Sequence, residues 1–149
     1  STSYITPIHS DGTVQVEDAA DFGRGSFTLG VATYFFPLGG QDSPITSVHL
    51  QWDATIVITS ATIEDTDFPD GDVTNHSTAA GEWIDEDPTT AFVGLIGAGA
   101  TQTNGVVAVA GGAQGGALWH IADTGARRTR LKVIVATGGD VRCGSWGKE

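Results

Sequence analysis

The stretch Ile45-Thr46-Ser47-Val48-His49-Leu50-Gln51-Trp52-Asp53-Ala54-Thr55-Ile56-Val57-Ile58-Thr59 decides the fold class. Val48, Leu50, Trp52, Ala54, Ile56 and Ile58 alternate with Ser47, His49, Gln51, Asp53, Thr55, Val57 and Thr59. A strand sends successive side chains to opposite faces, so this period of two predicts one long strand with a buried face and a wet face.

Outward from it, the same β-branched and aromatic enrichment predicts strands at Phe27–Phe36, Phe92–Ile96, Gly105–Ala110, Ala117–Ile121, Arg130–Ala136 and Val141–Trp146. Weaker ones are expected at Tyr4–Ile8, Thr13–Val16 and Ala61–Glu64. Glycine supplies 21 of the 149 residues, and glycine-rich turns separate the strands. Gly138-Gly139-Asp140 predicts a hairpin that makes the last two strands antiparallel neighbours. No segment carries a capped apolar stripe of helical period; Gly81–Asp87, ahead of Pro88, offers one helical turn at most. The expected fold is therefore all-β, an antiparallel β-sandwich or jelly-roll-like barrel of 8–10 short strands, because a sheet with one apolar face must cover it with another sheet. One domain over 1–149 is expected, with residues 1–10 either an N-terminal arm or a first strand.

The net charge is −11, and it is uneven. Residues 1–126 hold sixteen acids and a single base, Arg24, whereas residues 127–149 hold six bases and two acids. Phosphate binding is driven by neutralising charge, so nucleic acid is not an expected partner. No apolar run approaches the roughly 18–20 residues of a membrane-spanning helix, and no membrane partner is expected. The lone Cys143 cannot form an intrachain disulfide and reads as a small buried apolar residue.

Chemistry-bearing patterns are sparse. His9, His49, His76 and His120 are scattered and no nucleophile–histidine–acid signature accompanies them. The glycine pairs lie between strands, whereas phosphate-binding loops must open a helix. No catalytic residue and no cofactor is expected. In the acidic run Glu64–Asp72, the residues Asp65, Asp67, Asp70 and Asp72 are the ones with calcium-like spacing, but Pro69 and the lack of a closing glutamate depart from the EF-hand loop, and a solvated loop is the expectation. Asn75-His76-Ser77 matches a glycosylation sequon. Of the four tryptophans, Trp52 is in phase with the buried face, Trp119 lies in another expected strand, and Trp83 and Trp146 are the better candidates for exposure, as a sugar platform or an intersubunit contact.

Tyr34, Phe35 and Phe36 are consecutive, so they cannot all point inward from one strand. Either the strand is buried on both faces or bulged, or part of this segment meets another subunit. Arg127, Arg128 and Arg130 are the polar counterpart, able to pair with carboxylates of a neighbour or of the acidic loop.

From about Ile45 to Lys148 the chain resembles auxiliary structural proteins of tailed-phage virions, the small β-rich proteins that decorate or cement the capsid. The likeness is carried by Val48-His49-Leu50-Gln51-Trp52-Asp53, Glu64-Asp65, Phe68-Pro69, Trp83 and Glu86-Asp87-Pro88. It continues in Val107-Ala108-Val109-Ala110-Gly111-Gly112 and Arg127-Arg128-Thr129-Arg130-Leu131-Lys132-Val133. The resemblance implies a non-enzymatic protein on the capsid exterior that binds the major capsid protein, often as a homotrimer. Alternative expectations are another structural subunit (head fibre, tail-associated or extracellular filament protein) or a carbohydrate-binding β-sandwich module.

Overall fold

A computed structural model describes residues 2–18, 21–40, 45–68, 82–85, 91–122 and 128–147. Thirteen strands run through them: β1 (Thr2–Tyr4), β2 (Ile8–His9), β3 (Ser26–Leu29), β4 (Thr33–Gly40), β5 (Ile45–Trp52), β6 (Val57–Thr66), β7 (Ile84–Asp85), β8 (Ala91–Ile96), β9 (Ala100–Thr103), β10 (Val106–Val109), β11 (Gly115–Ile121), β12 (Arg128–Thr137) and β13 (Gly139–Gly147). They form two antiparallel sheets packed as a sandwich, as the composition requires. The first sheet has the order β1-β13-β5-β11-β8, with β3 also on β13; the second has the order β2-β4-β12-β6-β10-β9, with β7 also on β6. The strand count exceeds the expected 8–10 because three expected strands are each divided between the sheets and because β7 and β9 fall outside the expected strands, whereas the expected strand Thr13–Val16 is reduced to an isolated bridge between Val14 and Ile8 and Ala61–Glu64 is part of β6.

The breaks share one cause. The expected strand Ile45–Thr59 is β5 in the first sheet and β6 in the second, with the chain turning between them at residues 53–56. Ala54, in phase with the buried face by sequence, is exposed on this corner. Phe27–Phe36 likewise divides into β3 and β4, one in each sheet. The expected hairpin at Gly138–Asp140 is corrected in the same way: β12 pairs with β4 and β6, whereas β13 pairs with β5, β1 and β3. A single residue, Gly138, carries the chain across the sandwich. Neither Gly138 nor Gly139 has a positive φ. What they supply is space, since a Cβ on Gly138 would lie 2.7 Å from the Leu29 carbonyl oxygen and one on Gly139 would lie 2.6 Å from Asp53 Oδ1.

Between the sheets lies an apolar core that includes Phe27, Leu29, Val48, Leu50, Trp52, Ile56, Ile58, Ile63, Trp119, Leu131, Val133 and Val141. Each fully buried aliphatic or aromatic side chain here contributes roughly 1.5–3 kcal/mol. Cys143 sits in the same core, fully buried and unpaired, as expected for a small apolar residue. Along β6 the period of two slips once: Ile134 faces Ser60 but Val135 faces Ile58, so Thr59 is an extra residue. That bulge lets both Ile58 and Ala61 face the core.

Residues 2–9 contribute one strand to each sheet rather than a free arm: Tyr4 faces Gly144 on β13, and Ile8 faces Phe35 on β4. The described part of the expected helical turn, residues 82–85, is a bend followed by β7. Among the described residues no helix is long and apolar enough to cross a membrane.

Candidate functional site

Alternation along β5 and β13 places Val48, Leu50, Val141 and Cys143 in the core and sends Ser47, His49, Gln51, Arg142 and Trp146 to the opposite, outer face of the first sheet. Gly144 lies between Arg142 and Trp146 on this face, and Tyr4 of β1 stands across from it. With no side chain at 144 the face sinks into a hollow of about 240 Å³, lined by Tyr4, Ser47, His49, Gln51, Arg142 and Trp146.

The walls are fixed by contacts within the chain. Arg142 Nε donates to Gln51 Oε1 at 2.7 Å and its Nη1 donates to the Phe22 carbonyl at 2.8 Å. The Tyr4 ring has Arg142 on it at 5.1 Å and Arg24 at 5.3 Å. It also packs on Gly25, where a Cβ would come within 2.6 Å of the ring. Trp146 remains 50% exposed and Tyr4 41%. Partial burial, followed by the charge of Arg142, holds the His49 imidazole below its ordinary pKa, so it is neutral near pH 7 with one donor and one acceptor nitrogen. In an acidic chain, two of the seven bases, Arg24 and Arg142, thus converge on the Tyr4 ring, and Arg142 also lines the hollow.

The outer face of the second sheet is built differently, and it corrects the expected intersubunit surface. Tyr34 and Phe36 face the core, while Phe35 faces outward yet is fully buried. Its cover comes from the chain itself. Segment 82–85 folds over the sheet, with β7 pairing to Glu64 and Asp65. Trp83, expected to be exposed, is fully buried there. The Arg130 guanidinium lies 4.2 Å from the Phe35 ring centre and 4.1 Å from that of Trp83. Its Nε donates to Glu64 Oε1 at 2.8 Å, and Nη2 lies 2.8 Å from the same oxygen. Tyr34, Phe35, Phe36 and Arg130 are therefore consumed within the chain. The strand is buried on both faces, the alternative that needs no neighbour. Arg128 is half-buried, 5.7 Å from the Trp83 ring, and Arg127 lies outside the described residues.

A third cluster lies where the chain turns between sheets. The carboxylate oxygens of Asp21, Asp53 and Asp140 lie within 4.8 Å of one another. Three negative charges so close repel; hydrogen bonding to Asp140, with burial and the Asp140 and Asp53 charges adding to it, raises the Asp21 pKa. Sharing a proton or holding a hard cation would relieve the repulsion, although calcium takes six to eight oxygens and this triad offers three carboxylates. These residues are far apart in sequence, and no spacing reveals them. Of the acidic residues singled out by sequence, Asp65 is on β6 and accepts from the Thr129 hydroxyl at 2.6 Å. Asp67 follows β6, exposed, while Asp70, Asp72 and the sequon Asn75-His76-Ser77 lie outside the described residues.

Sequence reasoning identified Trp146 and the wet face of β5 but not the hollow. Tyr4, Arg142 and Gly144 join it through the pairing of β13 with β1 and β5, which no local pattern encodes. No family model, curated protein or solved structure matches the chain.

Proposed function

We propose that this chain is a non-enzymatic structural protein of a tailed-phage virion, decorating the capsid exterior as a homotrimer that binds the major capsid protein. The observation that carries this reading is the edge of the first sheet. β8 closes that sheet, and among the described residues β11 is its strand partner on one side while none pairs on the other. Its sequence, Ala91-Phe92-Val93-Gly94-Leu95-Ile96, has neither charge nor proline, the usual devices that blunt an edge. An edge of this kind supports main-chain pairing with another chain. Repeated over a shell, even weak contacts of this sort accumulate into stable attachment. The net charge of −11 disfavours nucleic acid.

The test is the native mass by light scattering, with and without purified capsid shells, followed by cosedimentation. A closed trimer that pellets with shells in stoichiometric amounts is expected. Ile96→Lys, at a position 39% exposed, adds a charge to the edge and is expected to reduce both assembly and pelleting. A wild-type monomer that ignores shells overturns the reading.

A further inference from the structure

We propose that the hollow on the outer face of the first sheet is a binding site for a carboxylate-bearing sugar, either free or as a residue of an acidic polysaccharide. Three features converge there. The first is a cation held ready. Arg142 makes no ion pair with a carboxylate among the described residues, although acids outnumber bases 18 to 7 in the chain. Its Nε and Nη1 are tied to Gln51 and to the Phe22 carbonyl, which holds the guanidinium in place, while Nη2 has no hydrogen bond to a described residue. A planar guanidinium with free N–H groups suits a carboxylate.

The second feature is the half-exposed Trp146 indole at the rim, a flat apolar surface for the C–H face of a pyranose ring. The third is the polar lining. Ser47, His49 and Gln51 stand at alternate positions on one strand and present hydroxyl, imidazole and amide groups, which can both donate to and accept from sugar hydroxyls. An acidic peptide side chain would use the arginine but would leave this row of hydrogen-bonding groups and the indole without matching partners. The floor is open because residue 144 is glycine; a Cβ there meets just the Ser3 carbonyl oxygen, at 3.7 Å. The site stands apart from capsid attachment through β8, which lies at the far edge of the same sheet.

The experiment is a titration of the full chain, followed through Trp146 fluorescence, with glucuronic acid, N-acetylneuraminic acid, glucose and a poly-glutamate peptide. At least one acidic sugar is expected to perturb Trp146 and to bind at least about tenfold more tightly than glucose. Arg142→Gln is expected to remove that preference. Gly144→Leu fills the floor and is expected to abolish binding with the melting temperature preserved. Absence of response to both acidic sugars, equal binding of glucose, unchanged binding by a folded Gly144→Leu variant, or tighter binding of poly-glutamate than of either acidic sugar would each overturn the assignment.

Discussion

Asp53 and Asp140 are bonded to each other twice across the place where the chain changes sheets: the Asp53 N–H donates to the Asp140 carbonyl at 3.0 Å, and the Asp140 N–H donates to Asp53 Oδ2 at 2.9 Å. Asp53 Oδ1 also accepts from the N–H groups of Thr55 and Ile56, each at 3.0 Å. One side chain thus closes the β5–β6 corner and ties it to the β12–β13 corner. Asp53→Ala leaves three backbone donors without their acceptor and is expected to cost at least about 2 kcal/mol. Urea unfolding measures this; a loss within error of zero would show that water replaces the carboxylate at no cost.

Gly139 stands against the same corner. An added Cβ would lie 2.6 Å from Asp53 Oδ1 and 2.7 Å from Ile56 Cβ, so Gly139→Ala forces the two corners apart. The expected destabilisation is about 1–3 kcal/mol. Gly144→Ala, five residues further along β13, where a Cβ meets nothing closer than the Ser3 carbonyl oxygen at 3.7 Å, is the control expected to change stability by less than about 0.5 kcal/mol. Equal midpoints for the two variants would contradict the packing described.

Burial, reinforced by a hydrogen bond to Asp85, raises the Glu64 carboxyl above its ordinary 4.5, with Arg130 and Lys132 pulling the other way. Between 4.5 and that higher value the folded chain keeps a proton that the unfolded chain has released, so this group's contribution to stability is present below 4.5 and is lost as pH rises through the window. Glu64→Gln cannot titrate. The unfolding free energy of wild type minus that of Glu64→Gln is expected to fall as pH rises from below 4.5 toward neutral. A difference that rises instead would mean that the charge of Arg130 dominates.

Trp83 lies on the Arg130 guanidinium, which also lies on the Phe35 ring, and its loss would open this stack to water. Trp83→Ala is expected to cost about 3–5 kcal/mol, as for other buried aromatic truncations. Calorimetry or denaturant titration checks this. A mild loss of under about 1 kcal/mol would mean that segment 82–85 adds little to the stability of the second sheet.

Cys143 has its thiol pushed far up by complete burial, which leaves almost no thiolate near neutral pH. An aromatic disulfide reagent is expected to label it slowly in the native chain and at once in urea. Fast native labelling would show that β13 opens readily.

Much of the fold is legible residue by residue. The alternation in Val48, Leu50 and Trp52 and in Leu131, Val133 and Val135 matches their burial, because strand geometry is local. The hairpin expected at Gly138 failed for the opposite reason. A glycine pair between two strands can reverse the chain within a sheet or carry it across a sandwich, and the outcome depends on distant Leu29, Asp53 and Ile56. Phe35 and Trp83 show the same limit: an outward-facing aromatic and a tryptophan beside an acidic run each look exposed until both are placed against Arg130.

By itself, then, the sequence determined the all-β class, the inward faces of the main strands, the buried character of Trp52 and Cys143 and the exposure of Trp146, all properties set by period, composition and turn chemistry over a few residues. The tertiary structure alone decided that β5 and β6 lie in different sheets, that Arg130 is buried between two rings, and that Tyr4, His49 and Arg142 surround the glycine at 144. Those arrangements depend on pairing between segments up to about 140 positions apart, whose register is selected by the joint burial of both sheets rather than by any local pattern.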